Sequence, residues 1–145
     1  MIVNIEIKKS EVYEELKKTS WYAGVKLGDD SYKIMAINDE DRIMLDRFFE
    51  ESKNVAINRL VRVFNDEVFS LDNDTYYLRL KLPDAFNKSL LPSIQSSLFS
   101  FYVLSILSKW FTFTNKPEAG QYGTEAVAML EDVATKVRYK LRPRH

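Results

Sequence analysis

Few residues in this chain are equipped for chemistry. The only histidine is His145, at the very end of the sequence, and there is no cysteine. A general-base histidine, a catalytic thiolate and a cluster of imidazole or thiolate metal ligands are therefore not available. No glycine-rich phosphate loop, nucleophile elbow or dinucleotide fingerprint is present. Two acidic runs remain. Asp39, Glu40 and Asp41 follow Asn38, where carboxylates at a helix start act as cap and dipole complement rather than as metal ligands. Asp72–Asn73–Asp74 resembles the front of a calcium loop, but no glycine and no closing glutamate follow at the required spacing, so it is expected to be a turn. Seven serines lie between Ser89 and Ser108 without a base nearby, and are expected to bond back to carbonyls of their own helix. No catalytic residue, cofactor or metal is expected, and the chain does not read as an enzyme.

Charge is the more informative chemistry. The formal net charge is zero, yet residues 1–74 carry 11 basic and 16 acidic residues, and residues 75–145 carry 10 basic and 5 acidic. The last ten residues, KVRYKLRPRH, hold Lys136, Arg138, Lys140, Arg142 and Arg144 and no acid. These five cations are candidate protein-interface residues, because ends of opposite sign suit subunits that meet one another or a charged partner. The bland alternative is a solvated helix end, where basic residues are favoured anyway. Trp110 and Tyr139 among the basic residues also admit a small helical nucleic-acid-binding or regulatory module, although such proteins usually carry a larger positive balance.

The elements that must position these groups are mainly helical. Ser89–Ser108 carries no charge, and apolar residues fall on every side of a 3.6-residue period, as in a buried helix or a membrane span. Pro92 near the start, the diluting serines, Lys109 and the lack of flanking charge asymmetry favour a buried central helix at about 88–113, with no membrane partner. Residues 39–63 and 117–141 have the spacing of two further helices, and Leu98, Phe101, Tyr102, Leu130 and Val133 are the expected core. Ala119, Gly123 and Ala126 are small enough for the last helix to approach the central one closely, antiparallel across a short loop. Ile2–Ile7 reads as a short strand, Ser10 as the cap of a helical segment Glu11–Lys18, and Tyr32–Ile37 as a short extended piece. In Thr75–Leu82 the period of two puts Tyr76, Leu78, Leu80 and Leu82 on one face, opposite Tyr77, Arg79 and Lys81. A β-hairpin at about 68–82 is expected to project from the helical body, with Ile2–Ile7 or a neighbouring subunit as its candidate pairing partner and Tyr77, Arg79 and Lys81 as further interface candidates. At 145 residues the chain fits a single domain, and its N-terminus has too short an apolar run for a signal peptide, which leads one to expect a soluble cytoplasmic product.

The order of these elements resembles the small head–tail connector (adaptor) proteins of tailed bacteriophages and prophages. The likeness covers roughly residues 39–142. It rests on the acidic-capped helix DEDRIMLDRFFEESKNVAINRLVRVF, a strand ending in Pro83, the apolar helix LLPSIQSSLFSFYVLSILSKWF with Pro92 and Ile94 at its start, and the basic end VATKVRYKLRPR with Tyr139, Leu141 and Arg142. Residues 2–25 and the hairpin are more than the smallest members carry. The resemblance implies a virion structural protein at the head–tail interface, made in the host cytoplasm. It also implies assembly as a homo-oligomeric ring, usually of twelve copies, in contact with the portal, with tail or other ring proteins, and with DNA passing through the channel.

Overall fold

The computed structural model describes residues 1–28, 30–70 and 73–138. Strand β1 (Ile2–Lys8) runs without a loop into helix α1 (Lys9–Leu27), followed by a one-turn helix α2 (Tyr32–Met35) and helix α3 (Arg42–Arg59). Strands β2 (Phe64–Ser70) and β3 (Thr75–Lys81) precede helix α4 (Leu91–Thr114) and helix α5 (Lys116–Lys136). The fold is a helical bundle around a central apolar helix, with a small antiparallel sheet on its flank, as the sequence pattern implies.

Helix α4 is the centre. By length and composition alone the 27-residue stretch Lys88–Thr114 could cross a membrane. In this fold Ile94, Leu98, Phe101, Tyr102, Ile106 and Phe111 on α4 are buried in the common core. Pro92 sits in the first turn, where its missing N–H costs nothing. Only Asn115 separates α4 from α5, and the two helices lie antiparallel: Ser97 Oγ bonds Asp132 at one end and Ser108 Oγ bonds the Ala119 carbonyl at the other. A Cβ on Gly123 would stand 3.0 Å from Ser108 Oγ, which is the close approach expected of the small residues. Leu130, Val133 and Ala134 bury the facing side of α5.

The hairpin departs from expectation. Strand β3 is the middle of a three-stranded sheet in the order β1-β3-β2, both pairings antiparallel. Its inner residues Leu78 and Leu80, with Leu82 just beyond, belong to the core beside Ile5 and Ile7 of β1. The second arm is thus part of the body, not a projection. A half-buried strand with few partners found one early in its own chain, Ile2–Lys8, so no neighbouring subunit is needed to complete the sheet. On the free edge of β1, the Gln95 side chain accepts a 2.9 Å hydrogen bond from the Glu6 N–H and donates one to the Glu6 carbonyl, standing in for a neighbouring strand.

Other boundaries shift for identifiable reasons. Helix α1 starts at Lys9, so Ser10 is not its cap. Asp74, at the start of β3, does that work from across the fold: its carboxylate accepts from the Ser10 N–H at 2.8 Å and the Ser10 hydroxyl at 2.8 Å, while its carbonyl accepts from the Lys9 N–H. Residues Tyr32–Met35 form a helical turn rather than an extended piece. Helix α3 stops at Arg59 because the chain turns through Leu60–Val63 to enter β2, whereas residue-by-residue periodicity carried the helix on to Val63. Before α3, Asp39–Asp41 make a 3-10 turn in which the Asp41 carboxylate accepts from the Asn38 N–H at 2.8 Å.

Candidate functional site

The interface candidates divide into three groups. Lys136, in the last turn of α5, is committed internally: its ammonium lies 2.5 Å from the Asp132 carboxylate and 2.5 Å from Ser93 Oγ on α4. The Asp132 carboxyl is held below its usual range by the hydrogen bonds from Lys136 and Ser97. The expectation that all five terminal cations lack an internal acid partner therefore fails at Lys136. Its acid lies one helical turn earlier on the same helix. Arg138 is exposed and makes no ion pair among the described residues. Lys140, Arg142 and Arg144 lie outside the described residues, as does Asp72 of the expected turn Asp72–Asn73–Asp74.

Beside Arg138 the end of α3 adds cations that the sequence alone does not connect with the terminus. Arg59, Arg62, Val137 and Arg138 line a cleft of about 290 Å³ between the ends of α3 and α5. Arg59 is neutralised by a two-pronged bond to Glu131, Nε to Oε1 at 2.6 Å and Nη2 to Oε2 at 2.7 Å. That bond, with Arg138 adding to it, keeps the Glu131 carboxyl below the usual carboxylate range. Arg62 is exposed without an ion pair among the described residues, so Arg62 and Arg138 extend the basic character of the terminus onto the folded body.

Tyr77, Arg79 and Lys81 share the outer face of the sheet. Arg79 Nε donates to Asn4 Oδ1 at 3.3 Å across the β1–β3 pair, and Tyr77 stands opposite Glu6 in the same pairing. Tyr77 and Arg79 are half-buried and Lys81 is exposed at the strand end. They form a mixed polar surface on the sheet, separate from the basic end.

One further constellation was not foreseen, because reading charges along α3 alone shows no notable pair. Asp46 lies 2.7 Å from the Lys9 ammonium and accepts a hydrogen bond from the Tyr13 hydroxyl, and the Arg42 guanidinium lies over the Tyr13 ring at 5.2 Å. Burial, then the Asp46 hydrogen bond, push the Tyr13 phenol well above its ordinary range. For Asp46 burial works upward, but bonds from Lys9 and Tyr13 outweigh it and hold the carboxyl below its usual value. A tyrosine kept protonated and a carboxylate kept charged by an ammonium make a clamp between α1 and α3, not an acid–base pair poised near neutrality. Among the described residues no three acidic or histidine side chains converge as metal ligands would.

The serines of α4 also act across helices. Ser93 and Ser97 meet Lys136 and Asp132 on α5, Ser105 bonds Ser52 on α3 at 2.8 Å, and Ser108 bonds the Ala119 carbonyl. At these four serines the expected return bonds to their own helix are replaced by a polar seam between α4 and its neighbours α3 and α5. Against family models, curated proteins and solved structures, the chain finds no match.

Proposed function

We propose that this chain is a phage virion structural protein, a ring-forming adaptor between portal and tail. The observation that carries this reading is the separation of charge: Arg62 and Arg138 are exposed on the described body, the sequence beyond Arg138 adds Lys140, Arg142 and Arg144 and no acid, and residues 1–74 carry 11 basic and 16 acidic residues. A ring contact joins two different patches of one subunit, and patches of opposite charge meet that need. The resemblance of residues 39–142 to head–tail connectors supports the same reading. In it the protein's work is mechanical. The ring matches one symmetric neighbour to the next and extends the DNA channel, and its basic ends dock on acidic protein surface.

The test has two parts. Electron microscopy of the purified protein should show closed rings, and reading frames for portal, capsid and tail proteins should flank the gene. Salt-sensitive capture of the portal protein supports docking of the basic end. Binding to free DNA without any ring or portal capture would favour the nucleic-acid module instead.

A further inference from the structure

A groove follows the outer side of α4 between α1 and α5. At one end it widens to a cleft of about 520 Å³ against β1 and the start of α1, and at the other to a hollow of about 240 Å³ reaching Tyr122 on α5; Phe99 lines both. Its floor is Ser96, Phe99, Ser100, Val103 and Leu107. The walls are acidic. Glu6 and Glu11 line the cleft and Glu15 the hollow, with Lys8 the one cation among the described lining residues. On α5, Glu118 and Glu125 stand about one helical turn before and after Tyr122, whose hydroxyl burial first and then these two carboxylates push upward. None of these five carboxylates forms an ion pair among the described residues. By contrast Asp39, Asp46, Glu51, Glu131 and Asp132 are each held by a lysine or arginine. Unpaired like charges around an apolar floor repel one another, and a cationic, partly apolar segment relieves that repulsion as it covers the floor.

We propose that this groove receives the basic end of a second copy of the same chain, Arg138 to His145. That sequence, Arg-Tyr-Lys-Leu-Arg-Pro-Arg-His, sets Tyr139 and Leu141 between cations and contains no acid. Its cations match the glutamates of the walls, and its two large apolar residues match the half-buried Phe99 and Leu104. Tyr122 and Arg138 lie on different flanks of α5: Tyr122 faces the groove, whereas Arg138 lines the cleft toward α3 with Arg62. Placed in a neighbour's groove, the basic end joins two different patches of the subunit, as a ring contact requires. Such a contact is head-to-tail and repeats from copy to copy. The proposal deepens the ring reading, on which it rests for the presence of the second copy.

The experiment uses a fluorescent peptide of residues 138–145 titrated into dilute full-length protein and followed by anisotropy. Saturable binding is expected. It should weaken about 10-fold or more in the Glu11→Lys/Glu15→Lys variant, and as much in Ser100→Trp, which fills the groove without changing charge. Replacing Tyr139 and Leu141 of the peptide with serine should also weaken it several-fold. Thermal melts by circular dichroism check that both variants fold; a variant that does not is replaced by Glu118→Lys/Glu125→Lys, beside Tyr122 on α5. Absence of saturable binding, or unchanged affinity in Ser100→Trp, overturns the groove. Binding seen only after residues 139–145 are deleted from the protein assigns the groove to the chain's own end and overturns the second-copy assignment. Rings that persist unchanged in Glu11→Lys/Glu15→Lys overturn the docking while leaving the adaptor reading intact. A peptide that binds as described to a protein that never forms rings overturns the adaptor reading and leaves the groove.

Discussion

At the scale of single residues, two positions concentrate the strain and charge of the N-terminal half. A Cβ on Gly24 would lie 2.3 Å from the Tyr32 Cα and 2.7 Å from its nitrogen, so backbone, not a side chain that could swing away, blocks the space. Gly24→Ala is expected to cost about 1–3 kcal/mol by forcing α1 and α2 apart, measured as a shift in the urea midpoint. An unchanged midpoint would show that α2 can move freely. The second position is Asp46. Asp46→Asn removes the ion pair with Lys9, and about 1–2 kcal/mol is expected at neutral pH, a figure limited by the partial exposure of the carboxylate. Because the folded carboxyl sits below its unfolded value, this contribution is complete above about pH 4 and is lost as the pH falls through the folded value. Wild type and Asp46→Asn should thus differ in stability at pH 7 and converge in acid; a constant difference down to about pH 2 would contradict the assignment. Neither position was legible in the sequence. Glycine in α1 reads there as a weak helix former, and Lys9, Tyr13 and Asp46 are joined only once β1 has delivered α1 alongside α3.

At the scale of elements, the sequence was most transparent where a pattern is local and long. The uncharged apolar stretch announced α4, and the steps of three and four announced α5, including the small residues at the contact with α4. Leu98 and Leu130 are buried as the spacing implies, and Leu98→Ala or Leu130→Ala should each cost about 2–5 kcal/mol in chemical denaturation. A loss under about 1 kcal/mol at either position would mean the site collapses without a cavity. Pairing was less transparent. The alternation in Thr75–Leu82 revealed a strand and its buried face and left Ile2–Ile7 and a neighbouring subunit as candidate partners; that β1 takes its far side and makes it central is settled only by the packing. Thr75 is buried and Asp74 caps α1, so removing Val68–Thr75 is expected to unfold the monomer. The milder Asp74→Ala should cost about 0.5–2 kcal/mol, with amide exchange quickening first in the opening turn of α1. The serines of α4 show the same limit: their preference for polar partners is a local property, while the identity of those partners, Asp132, Lys136 and Ser52, depends on which helices lie alongside.

At the scale of the whole molecule, the net charge of zero conceals a charge gradient along the chain. Its first half supplies Glu6, Glu11 and Glu15 to one flank of the α4 groove, and Arg62 and Arg138 line the cleft between α3 and α5, ahead of the basic terminus. The charge gradient was readable by counting. Its resolution into a groove and an opposing basic end was not, because Glu11, Phe99 and Tyr122 are brought together only by the packing of α1 and α5 on α4. If the two surfaces are partners, their signs can be exchanged. Protein bearing Glu11→Lys and Glu15→Lys should remain monomeric at low salt in sedimentation velocity, and so should protein bearing Arg142→Glu and Arg144→Glu, since each alone sets like charges against one another. Mixed in equal amounts, the two restore opposite charge at both kinds of junction: the altered groove receives the altered end, and the native groove receives the native end. Assemblies larger than a heterodimer should then appear, and about 0.5 M salt should dissolve them because exposed pairs are screened beyond a few ångströms. A mixture that stays monomeric while the wild type assembles would locate the subunit contact elsewhere, with the outer face of the sheet at Tyr77, Arg79 and Lys81 the next surface to reverse.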